Sequence, residues 1–270
     1  MLDLLVRSAA PLRLRSHAVT FDPHPGMVLG RGAPPLLTSL DRRADLVHSL
    51  GVDDLSVCPF DADLASWPPR RFVEELLVGA LGAKLVVVGT NFRFGAQRAG
   101  DFALLQSLGL ELGFHAEPAP LAGDDQGPWS SSRARDAIRA GDVVEAAHVL
   151  GRPHSFEGTV VRGAQRGRTI GFPTANLAEI IEMIPKRGVY AVDVVGIGRG
   201  VMNIGVRPTV SGESETCEVF VLDWSGDLYG KRIRVELLSR IRDEKKFASL
   251  DELKAQIAKD ADATRAHRPA

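Results

Sequence analysis

The sequence predicts two domains: an α/β domain with a doubly wound layout over residues 1–151, and a small antiparallel β-barrel or sandwich over residues 152–270 that ends in a helix. In the first half, apolar strand-like runs alternate with segments of helical periodicity. In the second half, short β runs are separated by Gly and Pro. A chain of 270 residues is also comfortable for two domains and long for one hydrophobic core.

The first half begins its alternation with a strand. The predicted elements are a strand at 17–21, a helix at 39–51, a strand at 55–60, a helix at 68–82 and a strand at 84–90. Both helices end at Gly, and the last strand, KLVVVGT, is a continuous apolar run of the kind found in parallel sheets. In such sheets ligands bind at the carboxyl ends of the strands, which here are DPHP and NFRFG.

A helical pair at 130–151 closes the first half, and GRP marks the boundary. The β runs that follow are SFEGTVV, GVYAVDVVGI, GVMNIGV, TCEVFVLDW and KRIRVELLSRI. Their short length and regular spacing predict the barrel or sandwich. Residues 249–265 are predicted as an amphipathic helix, because Leu253 and Ile257 are four apart and Ser249 with Glu252 has the spacing of a capping box.

The composition is typical of a soluble globular protein, with 44% hydrophobic and 25% charged residues and a net charge of −1. No apolar run approaches the roughly 18 residues of a membrane span, and the first residues lack the apolar core of a signal peptide, so we expect a cytoplasmic protein without a membrane partner. Cys58 and Cys217 are predicted to be free thiols. Residues 1–150 have a net charge of −4 and residues 151–270 one of +3, which favours an anionic small molecule over nucleic acid.

The stretch RTIGFPTANL, residues 168–177, is unusual for a segment that only packs. Pro173 makes it stiff and non-helical, and Gly171 permits a tight bend or a close backbone approach. Thr174 and Asn176 then place a hydroxyl and an amide oxygen on the same face of an extended chain. An ordinary turn with a local side-chain hydrogen bond is the alternative interpretation.

The residues upstream favour a phosphate-binding loop. Gly163, Gly167 and Gly171 recur every four residues; Arg162 comes just before the first of them, and Arg166 and Arg168 lie between them. Glycines let backbone N–H groups close on phosphate oxygens, and arginines add positive charge. The P-loop string G-x-x-x-x-G-K-[ST] does not occur, so a loop of another type is predicted.

Eight strings, in order, make the chain resemble the bacterial bifunctional riboflavin kinase/FMN adenylyltransferase family, also called FAD synthetase. They are TFDPHP, NFRFG, SSSRAR, GRTIGFPTANL, KRGVYAV, NIGVRPT, EVFVLDWSGDLYG and RDEKKFASLDEL. The resemblance covers nearly the whole chain. It implies a Rossmann-like nucleotidyltransferase domain at 1–151 and a kinase domain at 152–270, a Greek-key barrel followed by a helix. It also implies Mg²⁺, ATP, riboflavin and FMN as ligands.

For the kinase, the resemblance implies that Thr174 and Asn176 hold the Mg²⁺–ATP phosphates. It implies that Glu218 is the base that takes the proton from the attacking ribityl hydroxyl, for which the alternative is a surface glutamate on an edge strand. The other residues placed at the nucleotide or the flavin are Gly163, Gly167, Arg168, Gly171, Phe172, Pro173, Asn203, Arg207, Arg242 and Phe247. A solvated charge run is the alternative for Arg242 and Phe247, and turn formation for Asn203 and Arg207.

For the first half, the resemblance implies nucleotide contacts from seven residues: Pro23, His24, Asn91, Arg93, Ser131, Ser132 and Arg135. The family also has an H-x-G-H string whose histidines stabilise the ATP phosphates, and no such string occurs in this sequence. We therefore expect an α/β domain truncated at its start, without the central strand of its sheet. Two explanations of the missing segment are open: a start codon assigned too far downstream, or a real truncation.

The resemblance thus implies an enzyme that phosphorylates riboflavin with ATP to give FMN. Because the H-x-G-H string does not occur, the resemblance does not by itself imply that the chain as written converts FMN to FAD. The alternatives are a fully bifunctional enzyme and a catalytically silent protein that binds flavin or nucleotide.

Overall fold

The computed structural model of the chain describes residues 1–163, 172–209 and 212–267, and the side chains of 207–209 and 212–214 lie outside that description. The chain forms two compact units. One contains Met1–Pro34 and Leu40–Pro128, and the other contains Pro35–Ser39 and Trp129–Ala270. The predicted helical pair at 130–151 therefore belongs to the second unit, while the predicted domain boundary between residues 151 and 152 stays a prediction.

The first unit is an α/β unit, as predicted. Its helices are α1 (Leu2–Ala9), α2 (Pro25–Val28), α3 (Leu40–Ser49), α4 (Ala62–Ser66), α5 (Pro69–Arg71), which continues as a π-helix (Phe72–Ala80), and α6 (Phe102–Leu112). Its strands are β1 (His17–Asp22), β2 (Asp54–Pro59), β3 (Leu85–Gly89), β4 (His115–Ala119), β5 (Gly123–Asp124) and β6 (Gly127–Pro128). Short 3₁₀ turns lie at Ala10–Leu12 and Ala96–Arg98.

The strands of the first unit do not form one doubly wound sheet. β1 pairs with β2 and β3 pairs with β4, both in parallel, and the two pairs are separate two-stranded sheets. Within the described part of the chain, no strand bridges the two pairs. All five residues of β3 are only half-buried, whereas strands of a parallel sheet are normally covered on both faces. β3 is therefore less covered than a strand inside a complete doubly wound sheet.

The second unit is a closed antiparallel barrel with flanking helices. It contains α7 (Ser131–Ala140), α8 (Val143–Leu150), β7 (Ser155–Val161), β8 (Ala175–Ala178), β9 (Gly188–Val194), β10 (Gly198–Thr209), β11 (Gly212–Val221), β12 (Arg232–Arg242) and α9 (Leu250–Ala266). The strand order around the barrel is β10-β11-β8-β7-β12-β9. β9, β10 and β11 follow one another, and β12 returns to lie beside β9, which is Greek-key connectivity. The predicted barrel is confirmed.

Alternation along the strands fills the barrel. In β11, Cys217 and Val219 are buried in the core cluster, whereas Glu218 and Phe220 between and after them are only half-buried. Val143 of α8 belongs to the same cluster, which ties the helical pair to the barrel. Both cysteines are free, as predicted, and burial raises the pKa of the Cys217 thiol to about 12.

The C-terminal helix covers part of the outer barrel surface. Ala261 of α9 packs with Val189, Val201 and Leu222 in a second cluster. The predicted cap is present, because Ser249 Oγ accepts a hydrogen bond from the backbone N–H of Glu252 at 3.2 Å. Over the described ranges, no helix is both long enough and apolar enough to cross a membrane.

His154 is a fully buried titratable group at the start of the barrel. It is 0% exposed, and its Nε2 lies 2.7 Å from the carbonyl oxygen of Met183. Among the described residues, its Nδ1 has no hydrogen-bond partner. Burial lowers the pKa of His154 from 6.5 to about 4, because the imidazolium would lose its hydration.

The free energy of unfolding is expected to fall as pH drops from 6.5 towards 4, because the unfolded chain then binds a proton at His154 that the folded chain excludes. The pKa difference corresponds to about 3 kcal/mol. Urea unfolding across this pH range should show that His154→Gln removes this pH-dependent part of the free energy of unfolding. The exposed His115→Gln is the control and should keep it. A His154→Gln profile parallel to that of the parent protein would contradict the assignment.

Candidate active site on the outer face of the barrel

Three strands of the barrel bring Asn176, Glu218 and Asn203 side by side. Glu218 of β11 is paired with Asn176 of β8 on one side and with Asn203 of β10 on the other. Directly paired residues of antiparallel strands point to the same face, with Cβ atoms about 5 Å apart. Because Cys217 and Val219 fill the interior, the three polar side chains face outward. The structure therefore brings together three residues that lie far apart in sequence.

The same row continues around the barrel. Asn203 is paired with Val189 of β9, and Val189 is paired with Arg242 of β12. We call Asn176, Glu218, Asn203, Val189 and Arg242 the outer-face row. β11 has a neighbour on both sides, so Glu218 does not lie on an edge strand, in contrast to the alternative considered from the sequence.

Gly163 lies against the amide of Asn176. A Cβ atom on Gly163 would be 2.6 Å from Asn176 Oδ1 and closer still to Nδ2. These atoms belong to the Asn176 side chain, so a larger residue at position 163 would have to displace that amide. Gly163, which the resemblance places in the loop over the nucleotide, therefore lies directly beside the Asn176 amide.

Phe172 anchors the stretch that leads into β8. Its ring meets the ring of Phe220 edge to face, with centroids 5.3 Å apart. Phe220 is two residues beyond Glu218 and on the same outer face. Pro173 is exposed and Thr174 is half-buried between this anchor and Asn176. The predicted site residues Gly167, Arg168 and Gly171 lie outside the described residues, as does the side chain of Arg207.

The segment after β12 brings a further carboxylate to the row. A Cβ atom on Gly205 would overlap Glu244 Oε1 and would lie 3.3 Å from Asn203 Nδ2. Glu244 therefore lies beside Asn203, which is on the opposite side of Glu218 from Asn176. Glu244 belongs to the string RDEKKF, which the family resemblance places over the flavin.

Arg242 is held by the C-terminal helix. Its Nη2 is 2.8 Å from Asp260 Oδ2, and its Nε is 3.1 Å from both carboxylate oxygens. Asp260 is 2% exposed and also accepts a hydrogen bond from Gln256 Nε2 at 2.8 Å. The ring of Phe247 lies 5.7 Å from the guanidinium carbon of Arg242. Sequence reasoning missed Asp260, although its spacing of three from Ile257 places it on the packed face of the helix.

The predicted residues of the first half fall into two groups. In the first unit, His24 follows Pro23, and its Nδ1 accepts a hydrogen bond from the N–H of Gly26 at 3.0 Å. Asn91 and Arg93 are exposed after β3, and Arg93 lies 3.3 Å from Asp101.

The second group lies in the second unit. Ser131 and Ser132 are exposed in the first turn of α7, which Ser130 caps through the N–H of Arg133 at 3.2 Å. Arg135 donates from Nε to the carbonyl oxygen of Pro35 at 2.8 Å. Burial lowers the pKa of Arg135, with a smaller effect from Arg139.

Asp260→Ala is expected to lower the free energy of unfolding by about 3 kcal/mol, because it removes the buried partner of Arg242. Urea unfolding measures the change. The matched control is Asp262→Ala on the same helix, whose carboxylate pairs with Arg265 at the surface, with 78% of the side chain exposed. The control should change stability little, because exposed ion pairs contribute little. Equal effects of the two variants would contradict the structural role of Asp260.

Comparisons with known proteins match both halves of the chain. A family described as FAD synthetase matches residues 1–133, and a family described as riboflavin kinase matches residues 150–268. A solved structure described as a macrolide-efflux protein from Streptococcus pneumoniae shares the fold, with a TM-score of 0.89 and 32% identity. That alignment covers 98% of this chain and 90% of the other.

Curated relatives are named bifunctional riboflavin kinase/FMN adenylyltransferase. The protein of Escherichia coli strain K12 is 43% identical over 89% of this chain and 78% of its own length. The protein of Pseudomonas fluorescens is 38% identical over 98% of this chain and 87% of its own length. The protein of Bacillus subtilis strain 168 is 37% identical over 90% and 79%, respectively. The chain therefore belongs to the bifunctional riboflavin kinase/FMN adenylyltransferase family.

Proposed function

We propose that this chain transfers the γ-phosphoryl group of ATP to riboflavin, giving FMN, and that the transfer takes place on the outer-face row. The observation that supports this site is the direct pairing of Glu218 with Asn176 and Asn203 on neighbouring strands. A carboxylate between two amides on a half-buried surface is suited to accept a proton from a bound hydroxyl. Membership of the family supplies ATP and flavin as the substrate classes.

Glu218 acts as the general base. The 5′-hydroxyl oxygen of the ribityl chain attacks the γ-phosphorus, the bond from phosphorus to the bridging oxygen breaks, and ADP leaves with that electron pair. The hydroxyl proton passes to the Glu218 carboxylate. Such a positioned base contributes about 10²–10⁴-fold to the rate, and the rest of the acceleration comes from positioning and charge neutralisation.

The row orders the reactants. Gly163 and Phe172 border it at Asn176, where the glycine-rich segment enters, and Glu244 borders it at Asn203. The phosphate donor is therefore assigned to the Asn176 end and the flavin to the Asn203 end. Glu218 lies between them, which is where a base must be to serve a hydroxyl that attacks phosphorus.

Mg²⁺ fits the Asn176 end of the row. Thr174 comes just before β8 and Asn176 is the second residue of β8, so the two can offer a hydroxyl and an amide oxygen on one face. Such hard oxygen donors suit Mg²⁺, which keeps several waters and binds substrate phosphates. Within the described ranges, no group of three or more His, Cys, Asp or Glu residues could hold a metal by itself. When bound, Mg²⁺ would neutralise phosphate charge, while Thr174 and Asn176 hold it in place.

Several assignments remain predictions that rest on the resemblance. On the kinase side these are the contacts of Gly167, Arg168, Gly171, Pro173 and Arg207 with nucleotide or flavin, and those of Arg242 and Phe247 with flavin. On the other side they are the nucleotide contacts of Pro23, His24, Asn91, Arg93, Ser131, Ser132 and Arg135. A cytoplasmic location and the absence of nucleic-acid and membrane partners are also predictions.

Glu218→Gln is expected to lower kcat for FMN formation by at least roughly 100-fold, because the amide cannot accept the proton. The KM for ATP should change little. Flavins are separated by chromatography after incubation with riboflavin, ATP and Mg²⁺. The matched control is Glu215→Gln, an exposed carboxylate three residues earlier on β11, which should keep the parent rate.

Parent-like FMN formation by Glu218→Gln would exclude Glu218 as the base. An inactive parent protein that still binds riboflavin would favour the alternative of a silent binding protein. A parallel reaction of FMN with ATP tests the second activity of the family, and FAD among its products would establish that activity for this chain.

Gly163→Ala is expected to reduce kcat/KM for ATP by roughly 10- to 100-fold, because the added methyl group displaces the Asn176 amide. Initial rates at varied ATP and saturating riboflavin measure this effect. The control is Val161→Ala, which shortens the β7 side chain paired with Asn176 and should keep the parent kcat/KM for ATP. Retention of the parent kcat/KM for ATP in Gly163→Ala would contradict the placement of the phosphates at Asn176.

A further inference from the structure

We infer that Arg240 is a positioning residue for riboflavin binding, because it fixes the segment 243–247 beside the flavin end of the outer-face row. The inference rests on the proposed function. Arg240 is not among the residues that the family resemblance placed at the flavin. It is singled out by its contacts within the barrel.

Arg240 connects the end of β12 to two other segments. Its Nη2 donates to the carbonyl oxygen of Arg187 at 2.9 Å and to Asp243 Oδ1 at 2.5 Å. The Arg240 side chain is 24% exposed, so most of this long cationic group is enclosed by protein. An arginine enclosed in this way loses little further conformational freedom when the segment it holds is used for binding.

A β-bulge aims Arg240 and Arg242 at different partners. Two residues apart on a regular strand, they would share one face. The register of β12 against β9 shifts between them, however, so Arg240 is paired with Tyr190 and Arg242 with Val189. Tyr190 belongs to the interior cluster, whereas Val189 lies in the cluster beneath α9. The two arginines therefore lie beside different clusters, and both reach Asp243.

The space around the Arg240 side chain is shaped for it. A Cβ atom on Gly141, at the turn after α7, would lie 3.0 Å from Arg240 Nε and 3.1 Å from the Tyr190 hydroxyl. A Cβ atom on Gly188 would lie 3.0 Å from Arg240 Nη2. Side chains at either glycine would crowd the guanidinium, and Gly141 also has a left-handed φ of 83°.

The two arginines together hold Asp243. Arg240 binds its carboxylate, and Arg242 Nη1 donates to its carbonyl oxygen at 2.9 Å. The next residue, Glu244, brings its carboxylate to Gly205 and Asn203 in the row. Arg240 thus reaches the flavin end through Asp243 and Glu244. If the contact between Arg240 and Asp243 is lost, the segment 243–247 becomes ordered only when riboflavin binds. Riboflavin binding is then weaker, although Glu218 and Asn176 are unchanged.

The test compares Arg240→Lys, Asp243→Asn and the double variant in steady-state kinetics. Each single variant should raise the KM for riboflavin roughly five- to tenfold, with kcat and the KM for ATP within about twofold of the parent. The double variant should be no worse than the single variants, because both remove the same interaction. The control is Arg232→Lys. Arg232 also lies on β12, where its guanidinium pairs with Glu157 at 3.3 Å, and this variant should keep the parent KM for riboflavin.

Asp243 is mostly exposed, with 79% of its side chain accessible, so Asp243→Asn keeps the test valid if Arg240→Lys does not fold. An unchanged riboflavin KM in Asp243→Asn would overturn the inference, as would a fall in kcat with a matching rise in the KM for ATP. If the parent protein forms no FMN, the proposed function fails separately. Riboflavin affinity from flavin fluorescence then decides the inference, because the variants should bind more weakly than the parent and an equal affinity would overturn it.

Discussion

Backbone pairing around a closed barrel fixes which way every side chain of the wall points. A strand in a barrel cannot slip by one residue without moving its whole apolar set out of the core. Here the buried residues Cys217 and Val219 set the register of β11, and Glu218 between them must face outward. The partner strands obey the same rule at Asn176 and Asn203. The apolar core therefore determines the placement of the polar row, although it contributes none of its chemistry.

The barrel supplies the row, and two irregular segments border it. The stretch before β8 is anchored by the contact of Phe172 with Phe220 and by the approach of Gly163 to Asn176. The segment after β12 is anchored by Arg240 and Arg242, and α9 holds Arg242 through Asp260. Substrates of different shape can thus be received at the two ends of one rigid surface.

Much of this arrangement could be predicted from the sequence, and the rest depends on tertiary contacts. Alternation in TCEVFVLDW predicts that Glu218 faces away from Val219, and the capping box at Ser249 predicts the start of α9. The sequence predicts an extended chain at Thr174 and Asn176, but it does not predict that this stretch, as β8, pairs with β7 and β11. The separation of β1–β2 and β3–β4 into two parallel pairs was not predicted, because pairing between strands is a non-local property. Asp260 and Arg240 gain their roles from contacts between segments that are distant in sequence or lie across a bulge, which no local pattern reveals.

A crystal structure of the protein with riboflavin, Mg²⁺ and a non-hydrolysable ATP analogue tests the central claim most directly. The account predicts the ribityl 5′-hydroxyl within hydrogen-bond distance of Glu218, the terminal phosphate beside Thr174 and Asn176, and the isoalloxazine ring towards Asn203 and the segment 243–247. Ligands bound inside the barrel, or on the outer surface away from Glu218, would contradict it.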